Sequence, residues 1–259
     1  MNRRLRHYGF SLTEVLLATG ILAIGMVMIA MVFPVGVKLT STATERTVAA
    51  TVANEAFAKI QLYGKDPDGT GPATAVIKPA SIPSNMCVNL NFLYPSLLSA
   101  SERWYPSEVP VQEMKYHWSA MVRRISGTTL QATVFVNRLL SQNAFYYDPN
   151  HPQALARSQW PEPFQVQVEP QGGKTLKIVS SLPNNLEYRF FTEGSVILVS
   201  RSGVAYRVVE IKNTDTVIRN LLVLDRNFNE SGASVWVVPP AADSSRNPCI
   251  GIYQRLLEF

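Results

Sequence analysis

Residues 9–38 read GFSLTEVLLATGILAIGMVMIAMVFPVGVK. No charged side chain occurs between Glu14 and Lys38, over 23 consecutive residues. As an α-helix with a rise of ~1.5 Å per residue, this run is ~34 Å long, which exceeds the ~30 Å hydrocarbon core of a bilayer. Because backbone polar groups in lipid must be hydrogen-bonded within their own segment, the run should be helical. The sequence therefore predicts a transmembrane helix over about residues 15–37.

Three arginines set the expected orientation of this span. Arg3, Arg4 and Arg6 precede it, so the positive-inside rule places the N-terminus in the cytoplasm and everything after Lys38 outside. A cleaved secretory signal would have a shorter apolar region, of ~7–15 residues. A plain membrane anchor does not explain Glu14, because an unpaired carboxylate costs ~2–3 kcal/mol to place in a membrane. A buried helix of a soluble protein is disfavoured by the length of the uncharged run.

The residues around the start of the run carry a family resemblance. The sequence Gly9-Phe10-Ser11-Leu12-Thr13-Glu14, after a short basic leader and before an apolar helix, resembles the processing site of type IV prepilins and type II secretion pseudopilins. The resemblance covers residues 1 to about 40. It implies that a prepilin peptidase removes leader 1–9 by cutting after Gly9, that Phe10 becomes the methylated N-terminus, and that Glu14 serves assembly. It also implies other pilin or pseudopilin subunits and the inner-membrane assembly machinery as partners.

The helical pattern continues beyond the membrane segment. Val48, Val52, Ala56 and Ile60 recur every four residues and form an apolar stripe, which predicts an amphipathic helix that packs on a sheet. Gly64 is a suitable C-cap. We therefore expect one long N-terminal helix over residues 10–63. Pro34 lies slightly later than the helix-kinking proline common in the resembled family, and a kink is expected there.

The remainder of the chain is predicted to be mainly β. Residues 65–110 are rich in turn-forming residues, with a short helical piece expected at Leu97–Arg103. Alternation over 114–136 predicts a hairpin with one buried face, and it assigns His117 to the polar face. Short strands in the last third predict a small barrel or meander. The expected fold is α+β, with a pilin-like globular head at 64–182 and a C-terminal β module at 183–259.

Composition and motifs exclude several functions. The formal charge is +5, but without the three leader arginines 21 Lys and Arg face 19 Asp and Glu, a charge of +2. That balance does not favour nucleic-acid binding. The histidines, His7, His117 and His151, form no metal motif, and no P-loop, nucleophile elbow or dinucleotide motif is present. We therefore expect that the protein is not an enzyme and that it binds no cofactor or metal. Exposed aromatic residues at 145–147 and Trp160 are either a binding surface or, more often, loop anchors.

The two cysteines, Cys87 and Cys249, lie in the part of the chain expected outside the cytoplasm. Thiols oxidise there, so we hypothesise a disulfide between them. It would stabilise the head by ~4–5 kcal/mol in the chain-entropy model. The alternative is two buried, unpaired thiols.

These observations predict a structural subunit of a type IV pilus or a type II secretion pseudopilus. Because the head is large, a minor subunit is favoured over a major one. Two alternatives stay open: a single-span, membrane-anchored extracytoplasmic binding protein that does not polymerise, and a DNA-uptake pseudopilin. Gly9 and Glu14 discriminate against the first alternative, and the near-neutral charge of the processed chain counts mildly against the second.

Overall fold

The computed structural model describes residues 11–65, 76–107, 114–140, 144–147, 157–179, 183–213, 219–230, 233–242 and 246–259. The chain forms two compact units, one ending at Thr47 and one beginning at Val48. Helix α1, Leu12–Gly64, contributes to both. All sheets are antiparallel, so the expected α+β fold with a long N-terminal helix is confirmed.

The first unit is the apolar part of α1. Its side chains are exposed almost throughout, and the helix continues through Pro34, which has no N–H to donate to the carbonyl one turn earlier. The hydroxyl of Thr19 donates to the carbonyl oxygen of Val15 at 3.0 Å. A hydroxyl bonded to its own helix can face lipid without leaving a polar group unsatisfied.

The second unit begins with residues 48–64 of α1, which pack on an antiparallel sheet. The strands of this head sheet are β1 (Val88–Asn89), β2 (Trp104–Tyr105), β3 (Tyr116–Arg124), β4 (Thr129–Arg138) and β13 (Cys249–Glu258). Their order is β1-β3-β4-β13, and β2 pairs with the beginning of β3, on the same edge as β1. A short helix, α2 (Leu90–Leu93), follows β1, and 3₁₀ turns lie at Pro79–Ser81 and Ser101–Arg103. Only the end of the helical piece expected at Leu97–Arg103 is helical.

The predicted apolar stripe is the part of α1 that covers this sheet. Its buried residues are Ala49, Val52, Ala53, Ala56, Phe57 and Ile60. They form one core with Trp118, Val122, Val134 and Leu257 of the sheet. Alanines at three of these positions allow the helix to approach the strands closely, so the helix is an integral part of the head.

A closed six-stranded barrel follows the head sheet along the chain. Its strands are β7 (Phe164–Pro170), β8 (Thr175–Val179), β9 (Val196–Val199), β10 (Ala205–Asn213), β11 (Arg219–Leu224) and β12 (Ala233–Val237). They close in the order β10-β11-β8-β7-β12-β9. Alternate residues such as Val166, Ile178 and Val208 fill the interior. A two-stranded hairpin, β5 (Tyr146–Tyr147) with β6 (Arg157–Ser158), and a 3₁₀ segment, Pro183–Arg189, complete the described elements.

The barrel is an insertion within the head sheet and not a C-terminal addition. It comprises β7 to β12, whereas β13 leaves it and pairs with β4 over nine positions. The expected division between residues 182 and 183 therefore falls inside the barrel, and the last strand belongs to the head. Strand alternation cannot reveal this, because the partner of β13 lies more than 100 residues earlier in the chain.

Both faces of the β3–β4 hairpin are buried, which corrects the expectation of a single buried face. One face contacts α1, and the barrel covers the other through a cluster of Cys87, Met121, Phe135, Leu198, Trp236 and Val238. His117, which alternation assigned to the polar face, has no exposed area, and neither has Ser119 on the same face two residues later. Their side chains point away from α1 as expected, but the barrel replaces solvent on that face.

Candidate functional site

Of the three residues expected to carry processing and assembly, the structure describes one. Gly9 and Phe10 are outside the described residues. Glu14 is described, fully exposed, and located in the first turn of the helix. The structure therefore shows the surroundings of the acid but not those of the expected cleavage position.

Ser11 and Glu14 form a reciprocal pair at this helix start. Oε2 of Glu14 accepts the backbone N–H of Ser11 at 2.9 Å and the Ser11 hydroxyl at 3.0 Å. In return, the Ser11 Oγ accepts the backbone N–H of Glu14 at 3.2 Å. This arrangement is a capping box, in which two helix N-terminal donors find acceptors in side chains. Sequence reasoning missed Ser11, although the spacing Ser-x-x-Glu before an apolar helix is its signature.

The apolar part of α1 presents an uncovered hydrophobic surface. Large side chains such as Ile29 and Phe33 are 72% and 71% exposed. By length and composition this helix can cross a membrane, and none of its most apolar 18-residue window is buried within the protein. A core helix of a soluble protein would be mostly buried, so that alternative is not what the structure shows. The finding is compatible with a single-pass membrane protein.

A buried polar row crosses the head sheet on the face covered by the barrel. Trp104 on β2 lies opposite His117 on β3, His117 opposite Asn137 on β4, and Asn137 opposite Cys249 on β13. Residues that pair directly across antiparallel strands share one face. His117 and Asn137 have no exposed area.

The segment that leads into the barrel covers this row. The Trp160 ring lies 4.4 Å from Trp104 and stacks on His117 at 5.8 Å with an interplanar angle of 21°. Asn137 Nδ2 donates to the carbonyl oxygen of Pro161 at 3.0 Å. Burial, and then the positive charge of Arg103, hold the pKa of His117 well below its usual value of 6.5, and they outweigh a smaller opposing effect of the Pro161 carbonyl. The imidazole is therefore neutral at neutral pH.

Cysteine, histidine and asparagine in one row resemble the residue set of a cysteine nucleophile with its base, but the arrangement lacks the required chemistry. Asn137 stands between Cys249 and His117, so the thiol and the imidazole are separated by two strand spacings, or ~10 Å. Burial raises the pKa of the Cys249 thiol to about 12, whereas a nucleophile needs a thiolate. Among the described residues, no group of three His, Cys, Asp or Glu side chains is placed to hold a metal.

The expected disulfide does not form, and the strand register gives the reason. Both thiols are free. On one side of the sheet, Cys249 pairs with Asn137 of β4. On the other side, Val88, which follows Cys87, pairs with Val122 of β3. Val122 in turn pairs with Ala132 of β4, five residues from Asn137. Five residues along β4 span roughly 16 Å, and three strand spacings across the sheet add to the separation. A disulfide requires Cα atoms within ~7 Å, so the predicted bridge is replaced by two separate thiols.

The aromatic residues considered as a binding surface serve mainly as anchors where they are described. Tyr146 is buried, and its hydroxyl accepts the backbone N–H of Leu140 at 3.1 Å. The ring of Tyr147 contacts Phe190 of the barrel core at 4.9 Å. The ring of Trp160 packs on the rings of Trp104 and His117. These contacts fasten the connection between the head sheet and the barrel.

Comparison with known proteins adds no relative. No protein-family model, curated protein or solved structure matches this chain. The function is therefore inferred from the residues of the chain itself, above all from residues 9–38.

Proposed function

We propose that this protein is a minor structural subunit of a type IV pilus or a type II secretion pseudopilus. It is made as a precursor, cut after Gly9 by a prepilin peptidase, and assembled through α1. The observation that carries the proposal is an exposed helix with 23 uncharged residues, preceded directly by Gly9-Phe10-Ser11-Leu12-Thr13-Glu14.

The exposed helix needs an apolar environment. Burying apolar surface is favourable by about 25 cal/mol per Å², and side chains on every face of α1 before Lys38 are exposed. Lipid provides such an environment before assembly, and neighbouring apolar helices provide it in a filament. The proposed location is therefore the inner membrane, with a cytoplasmic N-terminus and an extracytoplasmic head, followed by transfer into a filament.

Glu14 supports assembly over simple anchoring. After cleavage, the α-amino group of Phe10 is a positive charge at the membrane boundary, where an unpaired charge is costly. The Ser11 hydrogen bonds both end at Oε2 of Glu14, which leaves Oε1 to accept an amine. One carboxylate can thus cap its own helix and pair with the Phe10 amine of a neighbouring subunit, which would fix the axial offset between subunits.

The inserted barrel favours a minor subunit over a major one. A major subunit must repeat along the whole filament, whereas this head carries a six-stranded barrel with its own core. A membrane-anchored binding protein is the principal alternative, because it would also need the apolar helix. Such a protein would have no use for Glu14 as a pairing group. A DNA-uptake pseudopilin is the other alternative, and the charge of +2 after processing gives it little support.

The proposal is tested by producing the full chain in a bacterium with and without a prepilin peptidase and measuring the intact mass. We expect loss of residues 1–9 and addition of a methyl group only when the peptidase is present. Cross-linking between α1 helices of assembled subunits is expected in the presence of the assembly machinery. A chain that keeps its leader with an active peptidase, beside a prepilin that is processed normally, would contradict the proposal.

A further inference from the structure

The attachment of the barrel to the head sheet depends on the segment before β7. Trp160 packs on Trp104 and His117, and the Pro161 carbonyl accepts a hydrogen bond from Asn137. Phe164, the first residue of β7, follows three residues after Pro161. This segment, residues 160–163, therefore joins the barrel to the buried polar row. His117 lies beneath it with no solvent-exposed area.

The charged groups around His117 disfavour a positive charge on its imidazole. Arg103 lies close enough to lower the pKa of the imidazole, and its guanidinium pairs with Glu162 at 2.9 Å. The side chains of this ion pair are only 12% and 15% exposed. From β13 the row contributes the neutral thiol of Cys249, whose pKa is raised to about 12. The carboxylate of Glu162 is thus paired with Arg103 and not with His117.

The remaining charged neighbours reinforce this conclusion. Lys115 shares the strand face of His117 two residues earlier and is exposed, which adds positive charge. Tyr116 immediately precedes His117 on β3 and lies opposite Arg138 on β4. Because successive residues of a strand point to opposite faces, both belong to the other face of the sheet. A protonated His117 would therefore be a buried cation with no anionic partner among the described residues, and burial of such a charge is strongly unfavourable.

We propose that His117 makes the attachment of residues 160–163 to the head sheet dependent on pH. The neutral imidazole stacks under Trp160 and holds the segment in place. When the imidazole takes up a proton from solvent, the segment releases and the ring becomes hydrated. This inference concerns the head alone, and it holds whether or not the chain enters a filament.

The direction of the pH dependence follows from proton binding in the two states. The released state has an ordinary imidazole, with a pKa near 6.5, whereas the attached state has a pKa well below that value. The released state therefore binds more protons, and attachment weakens as the pH falls below about 6.5. With a single proton involved, the equilibrium shifts toward release by up to about 30-fold at pH 5 relative to pH 7.5.

Hydrogen–deuterium exchange of the full chain in detergent micelles tests this inference. Peptides covering 157–170 are compared between wild type and His117→Gln at pH 7.5 and at pH 5, so that the intrinsic exchange rate cancels at each pH. The variant keeps His7 and His151, which makes it a matched control for the other histidines. We expect wild type to exchange faster than His117→Gln at pH 5. The ratio of the wild-type rate to the variant rate should be up to about 30-fold higher at pH 5 than at pH 7.5.

Two results would overturn the inference. One is an equal ratio of wild-type to variant exchange at both pH values. The other is acid-induced exchange that persists in His117→Gln and in a second variant, His117→Phe. If circular dichroism shows that neither variant folds at pH 7.5, the inference is tested on the wild-type protein alone. Exchange of 157–170, corrected for the intrinsic rate, must then rise with a one-proton slope below pH 6.5, and a flat profile refutes the inference.

Discussion

The carboxylate of Glu14 accepts the backbone N–H of Ser11 at 2.9 Å, and the Ser11 hydroxyl oxygen accepts the backbone N–H of Glu14 at 3.2 Å. Glu14 thus has a local structural role at the start of α1, besides the assembly role proposed for it. The two roles depend on different properties of the side chain. Capping requires an acceptor of the right length, whereas pairing with an amine requires negative charge.

Substitutions at Glu14 separate these roles. Glu14→Gln keeps a capping-box acceptor but removes the charge. We expect it to leave cleavage largely intact and to reduce incorporation into filaments as strongly as Glu14→Ala or Glu14→Val. Glu14→Asp should be intermediate, because its shorter side chain reaches the neighbouring amine less well. The measurements are a mobility shift for cleavage and recovery in sheared filaments for incorporation.

Ser11→Ala is the matched control for capping. It removes the acceptor for the Glu14 N–H and keeps the charge, at a cost of ~1 kcal/mol in helix stability. Incorporation should remain close to that of wild type. If Glu14→Gln assembles normally while Ser11→Ala fails, Glu14 acts as a cap, and the proposal of charge pairing is wrong.

Substitutions at Gly9 test the expected processing position. By the family resemblance, the peptidase requires a small residue immediately before the cut. Gly9→Ala should therefore impair processing much less than Gly9→Val or Gly9→Asp, as measured by intact mass after production with the peptidase. Equal cleavage of all three variants would show that the leader is removed elsewhere or by another protease.

Truncations and point substitutions test the role of residues 48–64 in the head. A chain without residues 1–38 should be soluble and folded, whereas a chain without residues 1–64 should not fold, because α1 supplies part of the core. In the chain that lacks only residues 1–38, Ile60→Ala should lower the free energy of unfolding by about 2–5 kcal/mol. Leu62→Ala is the control, since Leu62 is 72% exposed, and its effect should stay within about 0.5 kcal/mol. Equal effects would contradict this packing.

The thiols provide a test of the strand register. In the folded protein both should react slowly with a thiol reagent at pH 8, because burial raises the pKa of Cys87 to about 11 and that of Cys249 to about 12. After denaturation without reductant, two thiols should titrate. A reduced sample is the control. Finding no thiol before reduction and two afterwards would mean that the chain forms the disulfide that the register excludes.

Gly203 tests the contact between the barrel and the head sheet. Its φ is +70°, and an added Cβ would lie 3.0 Å from Oε1 of Gln131 on β4. Its carbonyl oxygen also accepts a hydrogen bond from Gln254 Nε2 at 2.6 Å. Gly203→Ala should destabilise the head by about 1–3 kcal/mol in urea unfolding. Gly127→Ala, with no atom within 4 Å of its added Cβ, is the control, and an equal effect would contradict this contact.

Local patterns in the sequence were sufficient for the helix and for most strands. The uncharged run and the four-residue spacing from Val48 to Ile60 correspond to α1, which ends at Gly64 as expected. Alternation located β3 and β4 and the short strands of the last third. These features depend on residues close together in the chain, whose spacing reflects the period of a helix or strand.

The tertiary structure decided what lies on each face and which strands are neighbours. Alternation placed His117 on the polar face of β3, and the strand does present it away from α1, but the barrel buries that face. Cys87 and Cys249 share a sheet, yet their register keeps them apart. The return of β13 to β4 likewise depends on pairing across an inserted barrel. The sequence alone determined the apolar helix, because its length and its lack of charge are local properties of the chain. Burial and strand pairing were decided by the tertiary structure, because they depend on contacts between segments that are distant in the chain.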